Sequence, residues 1–169
     1  TADIAIHASL TGHLVLSTLH TNDAAGAVTR LIDMDVEPFL VSSSVSAVIA
    51  QRLVRVLCPE CRQSASPSHE ELVKLGLEAE SVTTTIYHAV GCETCMQTGY
   101  RGRQGTYEIL LVDDDIRALI IAKTDSAQIQ KCAIEKGMTT LAHEGAVKVL
   151  EGVTTVEEVL RVTLQDVAW

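Results

Sequence analysis

The sequence predicts an α/β chain in which helices and short strands build a first layer, a metal-pinned loop excursion follows, and a helical tail closes the chain. Three observations carry this. Apolar periodicity alternates between helix and strand over residues 2–57, two Cys-x-x-Cys pairs bracket a polar stretch, and helical patterns with capping signals fill the chain after Val112. At 169 residues and 47% hydrophobic content, the chain can fill a core without disulfides.

Taken in order, residues 2–11 read as a short helix closed by Gly12, and residues 14–19 (Leu-Val-Leu-Ser-Thr-Leu) as a buried strand. Thr21, Asn22 and Asp23 offer side-chain oxygens to cap a helix over residues 24–34, with Val28, Leu31 and Ile32 on one side. Pro38 opens another helix, expected to reach Ala50, and residues 51–57 return to strand; strands alternating with helices in this way would join a parallel sheet. Ser64, Ser66, Pro67 and Ser68 make a loop, and Ser68 with Glu71 forms a capping box for a helix ending at Gly76. Gly99, Gly102 and Gly105 predict a tight basic turn carrying Arg101 and Arg103, ahead of a strand over residues 106–112. Helices follow near 114–123, 126–136, 140–151 and 155–164, with Gly137 and Gly152 at C-cap positions and Thr155 with Glu158 as a second capping box.

Charge narrows the partners. With 22 acidic against 13 basic side chains and a net charge of -9, the chain lacks the concentrated basic surface that phosphate-backbone binding requires, so nucleic acid is excluded as a partner. No run approaches the roughly 20 apolar residues that span a bilayer, and the first residues show no export pattern, so the chain reads as cytosolic. It opens on Thr1-Ala2-Asp3-Ile4, in mid-pattern and with no initiator Met, and is expected to be a piece of something longer.

Four of the five cysteines fall in two pairs, Cys58 with Cys61 and Cys92 with Cys95. A Cys-x-x-Cys turn presents two thiolates from one tight knuckle, and two knuckles complete the tetrahedron that zinc prefers. A shell of four sulfurs leaves no open position for water, so the ion would be structural, pinning an excursion that buries too little apolar surface to hold itself. A redox pair and an empty site are the alternatives; redox chemistry is expected beside a single pair in a βαβ context. Cys132, on a predicted helix, reads as a small core residue.

The run from Thr11 to Ala24 (Thr-Gly-His-Leu-Val-Leu-Ser-Thr-Leu-His-Thr-Asn-Asp-Ala) places polar groups at both ends of an apolar strand. His20 and Thr21 lie where a strand would leave the sheet, the end at which open α/β sheets bind ligands. Placement alone also suits a hydrogen-bonded structural histidine.

This run resembles the His box of the type II secretion and type IV pilus-assembly ATPases. The resemblance continues through Gly26-Ala27-Val28-Thr29-Arg30-Leu31, Glu37-Pro38-Phe39-Leu40, Ser42-Ser43-Ser44 and Gln51-Arg52-Leu53-Val54-Arg55. It extends over both cysteine pairs, Gly99-Tyr100-Arg101-Gly102-Arg103 and Glu157-Glu158-Val159-Leu160-Arg161-Val162-Thr163, and so covers nearly the whole chain. Gly26 to Leu31 and Leu110-Leu111-Val112-Asp113-Asp114 look more like the E-type ATPases of type II secretion.

The resemblance implies an α/β fold with residues 1–57 as the C-terminal part of a RecA-like P-loop ATPase core, 58–104 as a tetracysteine zinc-binding subdomain and 105–169 as a mainly helical subdomain. It implies that His20 faces the terminal phosphate of the nucleotide, where a donor stabilises the charge that develops in phosphoryl transfer. His13 is the second catalytic candidate, with a structural or subunit-coupling role fitting it equally. Thr21 and Asn22 are candidates to orient His20 and contact nucleotide, with helix capping as their competing role. Arg52, Arg101 and Arg103 are candidate contacts to nucleotide or to a neighbouring subunit, a solvated basic turn being the alternative. Zinc, and ATP with magnesium in the full-length protein, are the implied cofactors. No glycine here is followed by lysine, so the Walker A loop, and with it the acidic magnesium segment, is expected upstream, and the fragment is expected to be inactive alone. Implied partners are further copies of itself in a homohexamer, an inner-membrane secretion platform and its cytoplasmic-domain anchor proteins, which would hold a cytoplasmic protein at the membrane. Pseudopilus assembly for type II secretion is the implied task; type IV pilus assembly and a non-enzymatic zinc-stabilised interaction module are the alternatives.

Overall fold

The computed structural model describes residues 1–77 and 85–163. In chain order the elements are α1 (Ala2–Leu10), α2 (Ala24–Asp33), α3 (Pro38–Ser44), β1 (Ala47–Leu57), β2 (Gln63–Ala65), α4 (His69–Lys74), β3 (Ile86–His88), β4 (Tyr100–Leu111), α5 (Asp114–Ile121), α6 (Ser126–Glu135), α7 (Leu141–Leu150) and α8 (Val156–Thr163). The fold is mixed α/β, with β1 paired to β4 and β2 to β3. Two compact units emerge, one from Thr1–Ala50 with Glu108–Thr139 and one from Gln51–Tyr107 with Thr140–Trp169. They interleave along the chain because β1 and β4 each contribute residues to both.

In the first unit, apolar residues four apart turn three helices inward: Ala24 and Val28 on α2, Ile116 and Ile120 on α5, Ile129 and Ala133 on α6. Each wholly buried isoleucine contributes about 2–3 kcal/mol of transfer free energy. Cys132 packs partly buried against this cluster, as a core residue should. Helix entrances are set locally. The carboxylates of Asp23, Asp113 and Asp125 accept the N–H groups of Gly26, Ile116 and Gln128, three residues on.

The second unit is built on Ile86, Ala146, Val149, Val156 and Val159. Its helix α4 carries the complete capping box expected of Ser68 and Glu71. At α8 only half of the expected box forms. Glu158 N–H donates to Thr155 Oγ1 at 3.2 Å, while the Glu158 carboxylate goes to Arg55 and Arg161. It accepts the Arg55 backbone N–H at 3.0 Å, Arg55 Nε and Nη2 at 2.9 and 2.7 Å, and Arg161 Nε and Nη2 at 2.9 and 2.7 Å. The Arg55 guanidinium stacks 4.1 Å over the Tyr100 ring, and the Tyr100 hydroxyl meets Thr155 Oγ1 at 2.9 Å.

Four expectations are corrected. Residues 14–19 form no strand, and Leu14 and Leu16 are 90% and 88% exposed. Apolar alternation becomes a strand only where a neighbour supplies hydrogen bonds, and among the described residues the strands pair with one another instead. Helix α3 stops at Ser44 rather than near Ala50, since the hydroxyls of Ser42, Ser43 and Ser44 donate back to the carbonyls of Phe39 and Leu40 and Val45 turns extended. The glycine-rich segment after Tyr100 lies within β4 rather than in a turn, because pairing with β1 overrides glycine's preference, with Gly102 absorbing a φ of 82°. The pairing is not parallel: bonds from Val112 N–H to Ser46 O and from Cys58 N–H to Gly99 O run β1 and β4 antiparallel, and β2 and β3 are antiparallel as well. The four helices expected in the tail form as α5 to α8, residue 164 lying outside the described residues.

Candidate metal centre and histidine cleft

At the end of β1 the chain folds into a knuckle, with Arg62 N–H donating to Cys58 O at 3.0 Å. The second knuckle is a short 3-10 turn, Glu93–Cys95, followed by left-handed Met96 and Gln97 at φ 54° and 62°. The two bring the sulfurs of Cys58, Cys61, Cys92 and Cys95 within 4.8 Å of one another. Closest approaches are 3.9 Å for Cys58 to Cys92, 3.8 Å for Cys61 to Cys95 and 3.8 Å for Cys92 to Cys95. A tetrahedron with metal–sulfur bonds of about 2.3 Å has edges of about 3.8 Å, whereas a disulfide would bring two sulfurs to about 2.05 Å. The four thiols are therefore close enough to hold a metal ion, and their spacing is that of a tetrahedral shell.

Backbone N–H groups face these sulfurs. Gly91 N–H donates to Cys61 Sγ at 3.3 Å, and the N–H groups of Cys92 and Gly99 donate to Cys95 Sγ at 3.2 Å each. Burial pushes the Cys61 thiol up to about 12. It acts in the same direction on Cys95, but there the donors from Cys92 and Gly99 outweigh it and bring the thiol down to about 6, favouring thiolate.

Gly99 joins the knuckles: its carbonyl accepts the Cys58 N–H at 2.9 Å while its own N–H reaches Cys95. Its φ of 76° and a Cβ position 2.7 Å from Ala89 Cβ leave no room for a side chain. Gly99→Ala should therefore cost about 2–3 kcal/mol of stability, combining left-handed strain with a clash, and lower the metal content of the purified protein. A wild-type melting temperature and metal content would show that the knuckle yields without strain.

The histidine segment lies in the first unit. His20, Thr21, Asn22, Asp23, Gly26, Arg30 and Asp33 line an open cleft of about 260 Å³. Thr21 and Asn22 thus share the rim with His20, but the helix cap expected of them is Asp23, whose Oδ1 accepts Gly26 N–H at 2.6 Å; Thr21 Oγ1 donates to the Asp23 carbonyl at 3.2 Å. His13 closes the end of α1, with Nδ1 3.2 Å from Ala8 O and 3.1 Å from Thr11 Oγ1, and is not among the residues lining the cleft. Arg52, Arg101 and Arg103 belong to the second unit, Arg52 partly buried on β1 and the other two exposed on β4.

Two carboxylates carry more of the structure than their sequence positions suggest. Glu158 on α8 holds Arg55 and Arg161. Glu108 on β4 is buried, and its Oε1 accepts the Ala24 N–H at 2.9 Å. The sequence signal for Glu108 is an acidic residue in phase with the buried positions of a strand, and for Glu158 its place in the capping box with Thr155.

Comparison with known proteins adds the rest. The family model described as Type II/IV secretion system protein matches residues 1–161. Over 166 residues, 98% of this chain, the sequence is 52% identical to a type II secretion system protein E of Pseudomonas aeruginosa, covering 33% of that protein. Over the same share of the chain it is 50% identical to the type IV pilus assembly ATPase PilB of Thermus thermophilus, covering 19% of it, and 49% identical to the type II secretion system ATPase E of Vibrio cholerae, covering 33%. The chain thus spans a third or less of the length of these relatives.

Proposed function

Since the chain belongs to the type II/IV secretion system protein family, we propose that it is a segment of a cytoplasmic ATPase that powers type II secretion by driving pseudopilus assembly. The observation that carries this is identity of about half over nearly the whole chain to proteins named as ATPases of secretion and pilus assembly. Relatives from both systems match at similar identity, and the type II choice rests on the segments Gly26 to Leu31 and Leu110 to Asp114. In this reading residues 1–57 complete a RecA-like core, 58–104 form the zinc subdomain and 105–169 the helical one. The phosphate-binding loop and acidic magnesium ligands belong to the part of the protein outside this chain, and the whole assembles as a homohexamer. No helix among the described residues is long and apolar enough to cross a membrane, which suits attachment to an inner-membrane platform through anchor proteins.

Cys58, Cys61, Cys92 and Cys95 would hold zinc, whose contribution is to cross-link two knuckles. His20 would act from the rim of its cleft, donating to the oxygens that gain charge as the terminal phosphoryl group leaves; Thr21 and Asn22 would orient it. His13 would keep the end of α1 in place, and Arg52, Arg101 and Arg103 would contact nucleotide or a neighbouring subunit.

The test is His20→Ala in the full-length protein. ATP turnover should fall by about ten- to a hundredfold with zinc content and circular dichroism unchanged. Turnover at the wild-type rate would remove His20 from the site.

A further inference from the structure

Glu108 has a buried carboxylate that none of the proposed chemistry uses. It is 2% exposed on β4 and accepts the backbone N–H of Ala24, a residue 84 positions away and the first of α2. Leaving that N–H without a partner in a buried place would be costly, so the bond ties β4 to the start of α2. The chain just before α2 is the segment that carries His20.

Two bonds next to it are local: the Thr21 hydroxyl to the Asp23 carbonyl, and the Asp23 carboxylate to Gly26 N–H. Local bonds set the shape of the turn but not its position in the unit. Glu108 supplies a long-range tie. Glu108 and Asp23 both sit at the positive end of α2, taking the N–H groups of Ala24 and Gly26.

We infer that Glu108 is the positioning residue of the histidine segment, anchoring the start of α2 and thereby holding His20 at the rim of its cleft. The link to turnover rests on the phosphate-facing role proposed for His20; the anchoring itself does not.

The experiment uses the full-length protein with Glu108→Ala, Glu108→Gln, His20→Ala and the Glu108→Ala/His20→Ala double variant, measuring ATP turnover and hydrogen exchange at the Ala24 amide. Glu108→Ala should speed exchange at Ala24 by about tenfold or more, and Glu108→Gln, which keeps an acceptor oxygen, should restore protection. Turnover of Glu108→Ala should fall by about tenfold in kcat with KM within about twofold, glutamine should recover most of it, and in the His20→Ala background the alanine change should add no further loss. Wild-type exchange at Ala24 in Glu108→Ala overturns the inference whatever His20 does. Equal losses of kcat with and without His20 overturn the link between them. If His20→Ala leaves turnover intact while exchange at Ala24 accelerates, the anchoring stands and the phosphate-facing reading fails. Should Glu108→Ala not fold, Glu108→Asp, which keeps the charge but shortens the reach, carries the same measurements.

Discussion

Replacing Cys58 or Cys95 with serine in the full-length protein should abolish binding of the proposed zinc and unfold the region around the two knuckles, the largest effect expected of any single change here. Both residues are buried, and each sulfur is within 4 Å of a sulfur from the other pair. In small zinc-dependent peptides the metal contributes on the order of 10 kcal/mol of apparent folding free energy, comparable to the roughly 5–15 kcal/mol net stability of a whole domain. The knuckles have little else to rely on, since among the described residues between the pairs the large apolar side chains that are buried are Leu72, Leu75 and Ile86. Metal analysis should show about one zinc per chain in the wild type and a small fraction of that in the variants, with protease cutting newly admitted between residues 58 and 99. A zinc-free variant that keeps the wild-type melting temperature and digestion pattern would sink the structural role of the metal.

The second large effect is at Glu158. Its side chain is wholly buried while those of Arg55 and Arg161 are 44% and 46% exposed. The two sides of the ion pair therefore differ in cost. Glu158→Ala leaves two guanidinium groups that water can still reach, and should cost about 3 kcal/mol through lost hydrogen bonds and packing between α8 and β1. Removing Arg55 and Arg161 together leaves a buried carboxylate with no counter-charge and should cost more. Burial alone would push the Glu158 carboxyl up, but the guanidinium groups of Arg161 and Arg55 prevail and bring it down to about 2 from an ordinary 4.5. A carboxyl depressed by folding stabilises above its unfolded value. Its contribution is complete above pH 4.5 and is lost as pH falls through the window down to about 2. Denaturant midpoints of the wild type across that window should fall more steeply than those of Glu158→Gln; parallel curves would show that the carboxylate is not linked to stability.

Much of this molecule was legible where the determinants were local. Asp23 and Ser68 mark helix starts in the sequence because a cap needs only the three residues that follow it, and both act as caps in the structure. The cysteine knuckles were legible for the same reason, each pair being set by its own turn. Strands were not. Residues 14–19 have the composition of a strand but no partner among the described residues, while residues 100–105 have the composition of a turn and become strand because β1 lies beside them.

From the sequence alone follow the mixed α/β class, the capped helices, the four-cysteine constellation and the resemblance to secretion ATPases, all set by neighbours along the chain or by whole-length similarity. Tertiary structure decided what depends on residues far apart: the antiparallel pairing of β1 with β4, the closing of two distant knuckles into one tetrahedron of sulfur, and the burial of Glu158 and Glu108. A carboxylate in a sequence carries a strong expectation of exposure, because desolvating it is costly. Only the fold reveals that Arg55 and Arg161 for the one, and a backbone N–H for the other, have replaced the lost water.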